Sequence, residues 1–200
     1  MRWIRLALWV VPVVLIAAVL TVIAEATIPN WTLLGNWGTM WTIPAFFIGS
    51  RAKRELQGVS GGAAAVALIY AVLIWSTGGP GRMLQPSLIG FWMALALAGG
   101  AAAGLLGFWW RTQPHRMHSW GAAGLAGLLT AEGINFLIQL PTGRLLGMAE
   151  LLAGLAAVLV LERNRHLAAL GYCRQLLITA AALAAYLVLD AVFVSLFLVI

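Results

Sequence analysis

Apolar runs recur along this chain, and each is long enough to cross a membrane as a helix. Such a helix needs about 20 mostly apolar residues. Hydrophobic residues make up 62% of the 200 positions and charged residues 9%. Continuous runs rich in Leu and Ala differ from the short alternating strands of membrane barrels. The sequence therefore predicts an all-α, polytopic membrane bundle in a single domain, residues 1–200, with about seven spans: 6–24, 31–50, 59–77, 86–110, 119–140, 145–161 and 175–200.

The first run admits a second interpretation, a cleaved signal covering residues 1–26. It follows Arg2 and Arg5 and ends in Ala24-Glu25-Ala26, which resembles a signal-peptidase site. The apolar region of a signal is usually about 7–15 residues, shorter than this run. The length favours a membrane span, and both interpretations stay open at this point.

The basic residues predict the orientation. Ten of the twelve lysines and arginines fall on one side of the predicted spans, and only Arg82 and Arg144 fall on the other. Cytoplasmic loops carry the excess of Lys and Arg in membrane proteins. We therefore expect a cytoplasmic N-terminus in the cell membrane. This topology accounts for the net charge of +6 without a nucleic-acid partner.

Three carboxyl residues lie inside the predicted spans. A rise of about 1.5 Å per residue puts Glu132 about 12 Å, Asp190 about 15 Å and Glu150 about 8 Å below the outer helix ends. Ionisable residues in hydrocarbon are costly and mark functional sites by default. We expect Glu132 and Asp190 to be catalytic and Glu150 to contact the substrate. The alternative is a structural role, in hydrogen bonds between helices or at the interface.

Further polar and aromatic residues fall at depths compatible with those carboxyl groups. Asn135 and Gln139 follow Glu132 at helical spacings, so one face of this span is polar. Aromatic residues wall membrane pockets, although tryptophans also form belts at the two interfaces. We predict an aromatic-lined pocket in the outer half of the bundle, with substrate-binding residues Asn36, Trp37, Trp41, Trp92, Asn135, Gln139, Tyr186 and Glu150.

No motif for a metal or a cofactor appears, and we expect neither. His115 and His118 are three residues apart, but no cysteine or carboxylate completes a zinc pattern with them. Ser87 and Ser195 have no histidine within the predicted spans, which argues against a serine hydrolase. Cys173 is the sole cysteine, so an internal disulfide is impossible.

Buried acids beside aromatic rings suit the chemistry of a terpene cyclase. Removal from water disfavours a charged carboxyl, and the neutral acid protonates an alkene or an epoxide. Aromatic faces then stabilise the resulting carbocation. The expected partner is a lipophilic isoprenoid within the bilayer. The same residues also suit a transporter or a substrate-binding membrane subunit, with or without proton coupling. A third possibility is a structural or assembly protein, whose protein partner the sequence does not identify.

Three segments resemble an uncharacterised family of actinobacterial membrane proteins: GNWGTMWTIPAFFIGSRAKR at 35–54, FWMALALAGGAAAGLLGFWWR at 91–111 and TAEGINFL at 130–137. The resemblance implies one domain of six or seven spans and no particular activity. A weaker likeness is to small membrane-bound terpene cyclases of fungal meroterpenoid and actinomycete drimentine-type pathways. Asp190 matches their last-span acid by position. Their early-span W-E-F motif is absent here, and Glu132 would substitute for its acid.

Overall fold

A computed structural model describes residues 12, 16, 19, 38–77, 86–112, 115–139, 144–162 and 168–197. The described chain is helical. Its continuous helices are α1 (Gly38–Ser50), α2 (Glu55–Thr77), α3 (Pro86–Thr112), α4 (His115–Gln139), α5 (Arg144–Leu161) and α6 (Ala168–Phe197). Five of these, α2 to α6, contain stretches long and apolar enough to cross a membrane. The prediction of a helical multi-pass membrane protein is confirmed to that extent.

The predicted first span lies almost wholly outside the described residues. Pro12, Ile16 and Val19 are described within it, and all are helical and exposed. In the predicted second span, the structure describes α1, whose apolar part is Trp41–Ser50. The total of seven spans and the cytoplasmic N-terminus therefore stay predictions.

Three helices begin at least four residues earlier than the apolar pattern predicts, and one of them, α4, starts at His115 rather than at Ser119. Helix α2 starts at Glu55, inside the expected basic loop. The Gln57 side chain accepts a hydrogen bond from the Lys53 backbone N–H at 3.2 Å, and Glu55 adds a negative charge to the first turn. Both features stabilise a helix N-terminus. Helix α6 starts at Ala168 rather than at Gln175 because its first turns pack on α5.

The chain divides into two compact units, Met1–Gly121 and Ala122–Ile200, and the boundary falls inside α4. We call them unit 1 and unit 2 and describe each by itself. That the two units form one domain, residues 1–200, stays a prediction from the sequence.

Glycines bring the backbones of α1, α2 and α3 together in unit 1. A Cβ on Gly104 would overlap the carbonyl of Gly58 in α2, and one on Gly107 would overlap that of Phe46 in α1. Apolar burial does little to hold helices together in lipid, so close packing of this kind matters more there than in water. Small residues at these crossings are therefore what allows the three helices to associate.

The apolar core of unit 1 lies beside this crossing. Trp41 of α1 packs against Tyr70 of α2, with ring centroids 5.7 Å apart. Both belong to a buried cluster that also includes Ala45, Ile48, Ala65, Val66, Ile69, Ala96 and Ala103.

Unit 2 contains α4 from residue 122 together with α5 and α6. A Cβ on Gly133 would come within 2.7 Å of the Gly147 carbonyl, so α4 and α5 also touch through their backbones. A Cβ on Gly127 would approach Ile178 of α6 to 2.7 Å. The Tyr172 hydroxyl donates to the Leu155 carbonyl at 3.0 Å, which joins the early turns of α6 to α5.

Candidate functional site

Two carboxyl residues of unit 2 are almost completely buried. Glu132 of α4 is 3% exposed and Glu150 of α5 is 4% exposed. Both lie on apolar helices in stretches long enough to span a membrane. The helices touch through Gly133, next to Glu132, and Gly147, one turn before Glu150. Two carboxyl groups are therefore held away from water by different helices.

A tyrosine of the third helix lies near both carboxyl residues. The Tyr186 side chain of α6 interacts electrostatically with Glu132 and, more weakly, with Glu150. Tyr186 is itself partly buried. One phenol thus lies within electrostatic range of both carboxyl groups, and each helix of unit 2 contributes one residue. We call Glu132, Glu150 and Tyr186 the acid cluster.

The structure describes the other predicted members unevenly. Asn135, one turn after Glu132 in α4, is partly buried. Gln139 and Asp190 lie in the helical backbones of α4 and α6, but their side chains are outside the described part. Asn36 and Trp37 lie outside the described residues altogether. The predicted pairing of Glu132 with Asp190 is therefore untested, whereas Glu150 and Glu132 share Tyr186 as a neighbour.

The two described tryptophans of the predicted pocket belong to unit 1. Trp41 is buried in its core, and Trp92 is partly buried against the same cluster. Trp92 also lies edge-on to Phe91, with centroids 5.5 Å apart. Both tryptophans thus contact apolar and aromatic side chains of unit 1. A role in substrate binding stays a prediction for both.

A second polar contact in unit 2 was not predicted from the sequence. Gln175 of α6 is 2% exposed. Its amide nitrogen donates to the Thr130 hydroxyl at 2.7 Å and to the Gly154 carbonyl at 3.1 Å. The Thr130 hydroxyl donates in turn to the Ala126 carbonyl at 2.9 Å. This network joins α4, α5 and α6. Gln175 and Tyr186 are eleven residues apart and therefore share one face of α6. This spacing is the sequence signal from which the inward position of Gln175 could have been predicted.

Replacing Thr130 by valine is expected to lower the stability of the protein by about 1 kcal/mol, the usual size of a hydrogen bond between membrane helices. The substitution keeps the side-chain shape but removes one of the two acceptors of the Gln175 amide nitrogen, the Gly154 carbonyl being the other. Thr112→Val is the matched control, because the Thr112 hydroxyl also donates to a carbonyl four residues earlier, that of Phe108 at 2.6 Å. Thermal unfolding in detergent would measure both. Equal effects of the two substitutions would argue against the Gln175 contact.

Among the described residues, no three His, Cys, Asp or Glu side chains group closely enough to hold a metal ion. The acid cluster has two carboxyl groups and a phenol, which donate, accept and share protons. The arrangement is therefore suited to acid–base chemistry.

The helices and the buried polar site define a class, multi-pass helical membrane proteins with ionisable residues inside the bundle. The chain belongs to a family of unknown function, DUF6518, whose model matches residues 1–192. No curated protein and no solved structure matches it. The match over nearly the whole chain agrees with the predicted membership of an uncharacterised family. The actinobacterial origin and the terpene-cyclase likeness stay predictions.

Proposed function

We propose that this protein of the cell membrane protonates a lipophilic isoprenoid and cyclises it through carbocations, with the acid cluster as its active site. One observation carries the proposal: Glu132 and Glu150, on different helices, are both buried and both lie within electrostatic range of Tyr186. Burial favours the neutral form of a carboxyl group, which is the form that donates a proton. Isoprenoids partition into bilayers, so the substrate reaches a membrane-embedded acid from the lipid.

Glu132 is the proposed acid because its predicted depth below the outer helix ends, about 12 Å, exceeds the depth of about 8 Å predicted for Glu150. Its O–H bond breaks as the proton adds to a terminal alkene, whose π electrons form the new C–H bond. The next alkene attacks the cation and closes a ring. Loss of a proton from carbon to a carboxylate then forms the final double bond and restores the acid. The product has the mass of the substrate.

Other residues have proposed supporting roles. Glu150, as a carboxylate, accepts the proton lost from carbon and passes it to the Glu132 carboxylate, and Asp190, four residues after Tyr186, is the other predicted carboxyl for this step. The Tyr186 ring stabilises positive charge on the substrate through its quadrupole. The amides of Asn135 and Gln139 orient the substrate.

Proton-coupled transport of a small solute is the second candidate, and the distribution of aromatic residues favours it. A cyclase surrounds its acid with aromatic faces, yet residues 122–200 contain no tryptophan. Trp41 and Trp92 pack in the core of unit 1. Buried carboxyl groups in membrane helices are typical of proton relays in transporters.

Mass spectrometry of membranes fed linear farnesyl and geranylgeranyl compounds, and their terminal epoxides, tests the cyclase. A new isomer of unchanged mass, formed by the wild type and lost in Glu132→Gln, is the expected result. The transport candidate predicts no isomer. It predicts instead solute-dependent proton uptake into proteoliposomes, followed by an internal pH dye with a panel of small cations and heterocycles. Suppose that the wild type forms no isomer but takes up protons, and that Glu132→Gln abolishes this uptake. The transport function would then be supported and the cyclase function contradicted.

A further inference from the structure

Four exposed cations gather at one end of unit 1. Arg51, Lys53 and Arg54 lie in the connection between α1 and α2, and Arg111 lies in the last turn of α3. We call these four residues the basic end. The acid cluster is in unit 2, so the basic end belongs to a separate feature of the molecule.

Two contacts hold the basic end together. The Trp109 indole N–H of α3 donates to the Glu55 carboxylate at the start of α2, at 3.0 Å. At the end of α1, a Cβ on Gly107 would come within 3.0 Å of the Ser50 backbone nitrogen, so α1 ends against the last turns of α3. The four cations therefore lie at or between three helix ends: the end of α1, the start of α2 and the end of α3. The end of α3 contacts the other two.

The basic end lies at the edge of the stretches that can span a membrane. The apolar stretch of α2 begins at Glu55, and that of α3 ends at Thr112. Leu56, beside the cations, is 72% exposed, and Trp109 is partly exposed. Apolar and indole surface directly next to exposed cations is the composition of a membrane interface, where the apolar part enters the lipid and the charges meet the headgroups.

We propose that the basic end binds the phosphate of an anionic phospholipid in the leaflet that it faces. Among the described residues at these three helix ends, the carboxylate is that of Glu55, which accepts the Trp109 hydrogen bond, so the local charge is positive. Guanidinium groups bind phosphate oxygens through paired hydrogen bonds. Clusters of four or more Lys and Arg residues at the end of a membrane helix recognise anionic lipids. A headgroup is favoured over a soluble anion because the neighbouring apolar surface contacts acyl chains at the same time.

Native mass spectrometry of the purified full-length protein tests this proposal, with phosphatidylglycerol and phosphatidylcholine as probes. The wild type is expected to bind phosphatidylglycerol more tightly. Each of Lys53→Gln, Arg54→Gln and Arg111→Gln should weaken that binding by about fivefold, and the triple variant by about 100-fold. Arg144→Gln is the matched control, since Arg144 is also exposed but lies at the start of α5 in unit 2. It should leave the affinity unchanged.

Three results would overturn the proposal. The first is equal affinity for the two lipids, and the second is an affinity that the Arg144→Gln and Arg54→Gln variants reduce alike. The third is displacement of phosphatidylglycerol at matched ionic strength by inorganic phosphate or by poly-glutamate, which would assign the basic end to a soluble anion or an acidic protein segment. Circular dichroism and size-exclusion chromatography of each variant check folding. The single variants keep the test decisive if the triple variant does not fold.

Discussion

Replacing Glu132 by glutamine is expected to reduce formation of the cyclised isomer by a factor of about 10² to 10⁴, the usual contribution of a positioned general acid. Glutamine keeps the size and hydrogen-bonding capacity of the side chain and removes the transferable proton. Glu150→Gln should also reduce the rate, because the proposed proton exchange then lacks one of its two carboxyl groups. Product formed per amount of folded protein in membranes is the measurement.

Glu162→Gln is the matched control for that experiment. Glu162 is also a buried glutamate, 6% exposed, and it directly follows α5. It lies twelve residues beyond Glu150, about 18 Å along a helix axis, and therefore outside the acid cluster. This variant should retain activity close to that of the wild type. An equal loss in Glu162→Gln and Glu132→Gln would point to a general cost of removing buried carboxyl groups and would contradict a catalytic role for Glu132.

Replacing Gly104 by alanine is expected to destabilise unit 1 by about 3 kcal/mol or more, at the upper end of the cost of overpacking a core. The added methyl group would overlap the Gly58 carbonyl and crowd Gly62, so backbone rather than a flexible side chain would have to move. The close crossing of α2 and α3 would then open. Thermal unfolding and the yield of monodisperse protein would report the loss.

Gly99→Ala provides the control in the same helix. A Cβ at Gly99 would meet nothing within 4 Å, and alanine is the better helix former. We therefore expect stability equal to or slightly above that of the wild type. A similar loss of stability in both variants would mean that an added methyl group destabilises helix α3 even at a position where it meets no neighbour. The backbone crossing at Gly104 would then not be the cause.

Much of the fold is predictable from the sequence because lipid demands long apolar segments with internal backbone hydrogen bonds. The ends of the helices are less predictable. Residues 168–174 contain Tyr172, Cys173 and Arg174 and lack a continuous apolar pattern, yet contacts such as that of Tyr172 with Leu155 extend α6 through them. Tertiary contacts of this kind are invisible in hydropathy.

The candidate site was predictable in part for the same reason. A carboxyl residue within an apolar run is conspicuous, so Glu132 and Glu150 could be selected from the sequence. Gln175 is uncharged and stands at the start of the predicted last span, so the hydropathy pattern gives no sign that it is buried in a three-helix network. Glu162 precedes Arg163 and Arg165, a pattern typical of a solvated loop, yet the Glu162 side chain is buried. Sequence pattern indicates depth in the membrane but does not indicate which helix faces which.

A double-mutant cycle between Glu132 and Glu150 tests most directly whether the two carboxyl residues share one site. Free energies of unfolding would be measured for Glu132→Gln, Glu150→Gln and the double variant, beside the control pair of Glu132→Gln with Glu162→Gln. We predict a coupling energy of about 0.5 to 3 kcal/mol for the first pair and additivity within about 0.5 kcal/mol for the control. Additive effects of Glu132→Gln and Glu150→Gln, equal to those of the control pair, would contradict the existence of the acid cluster.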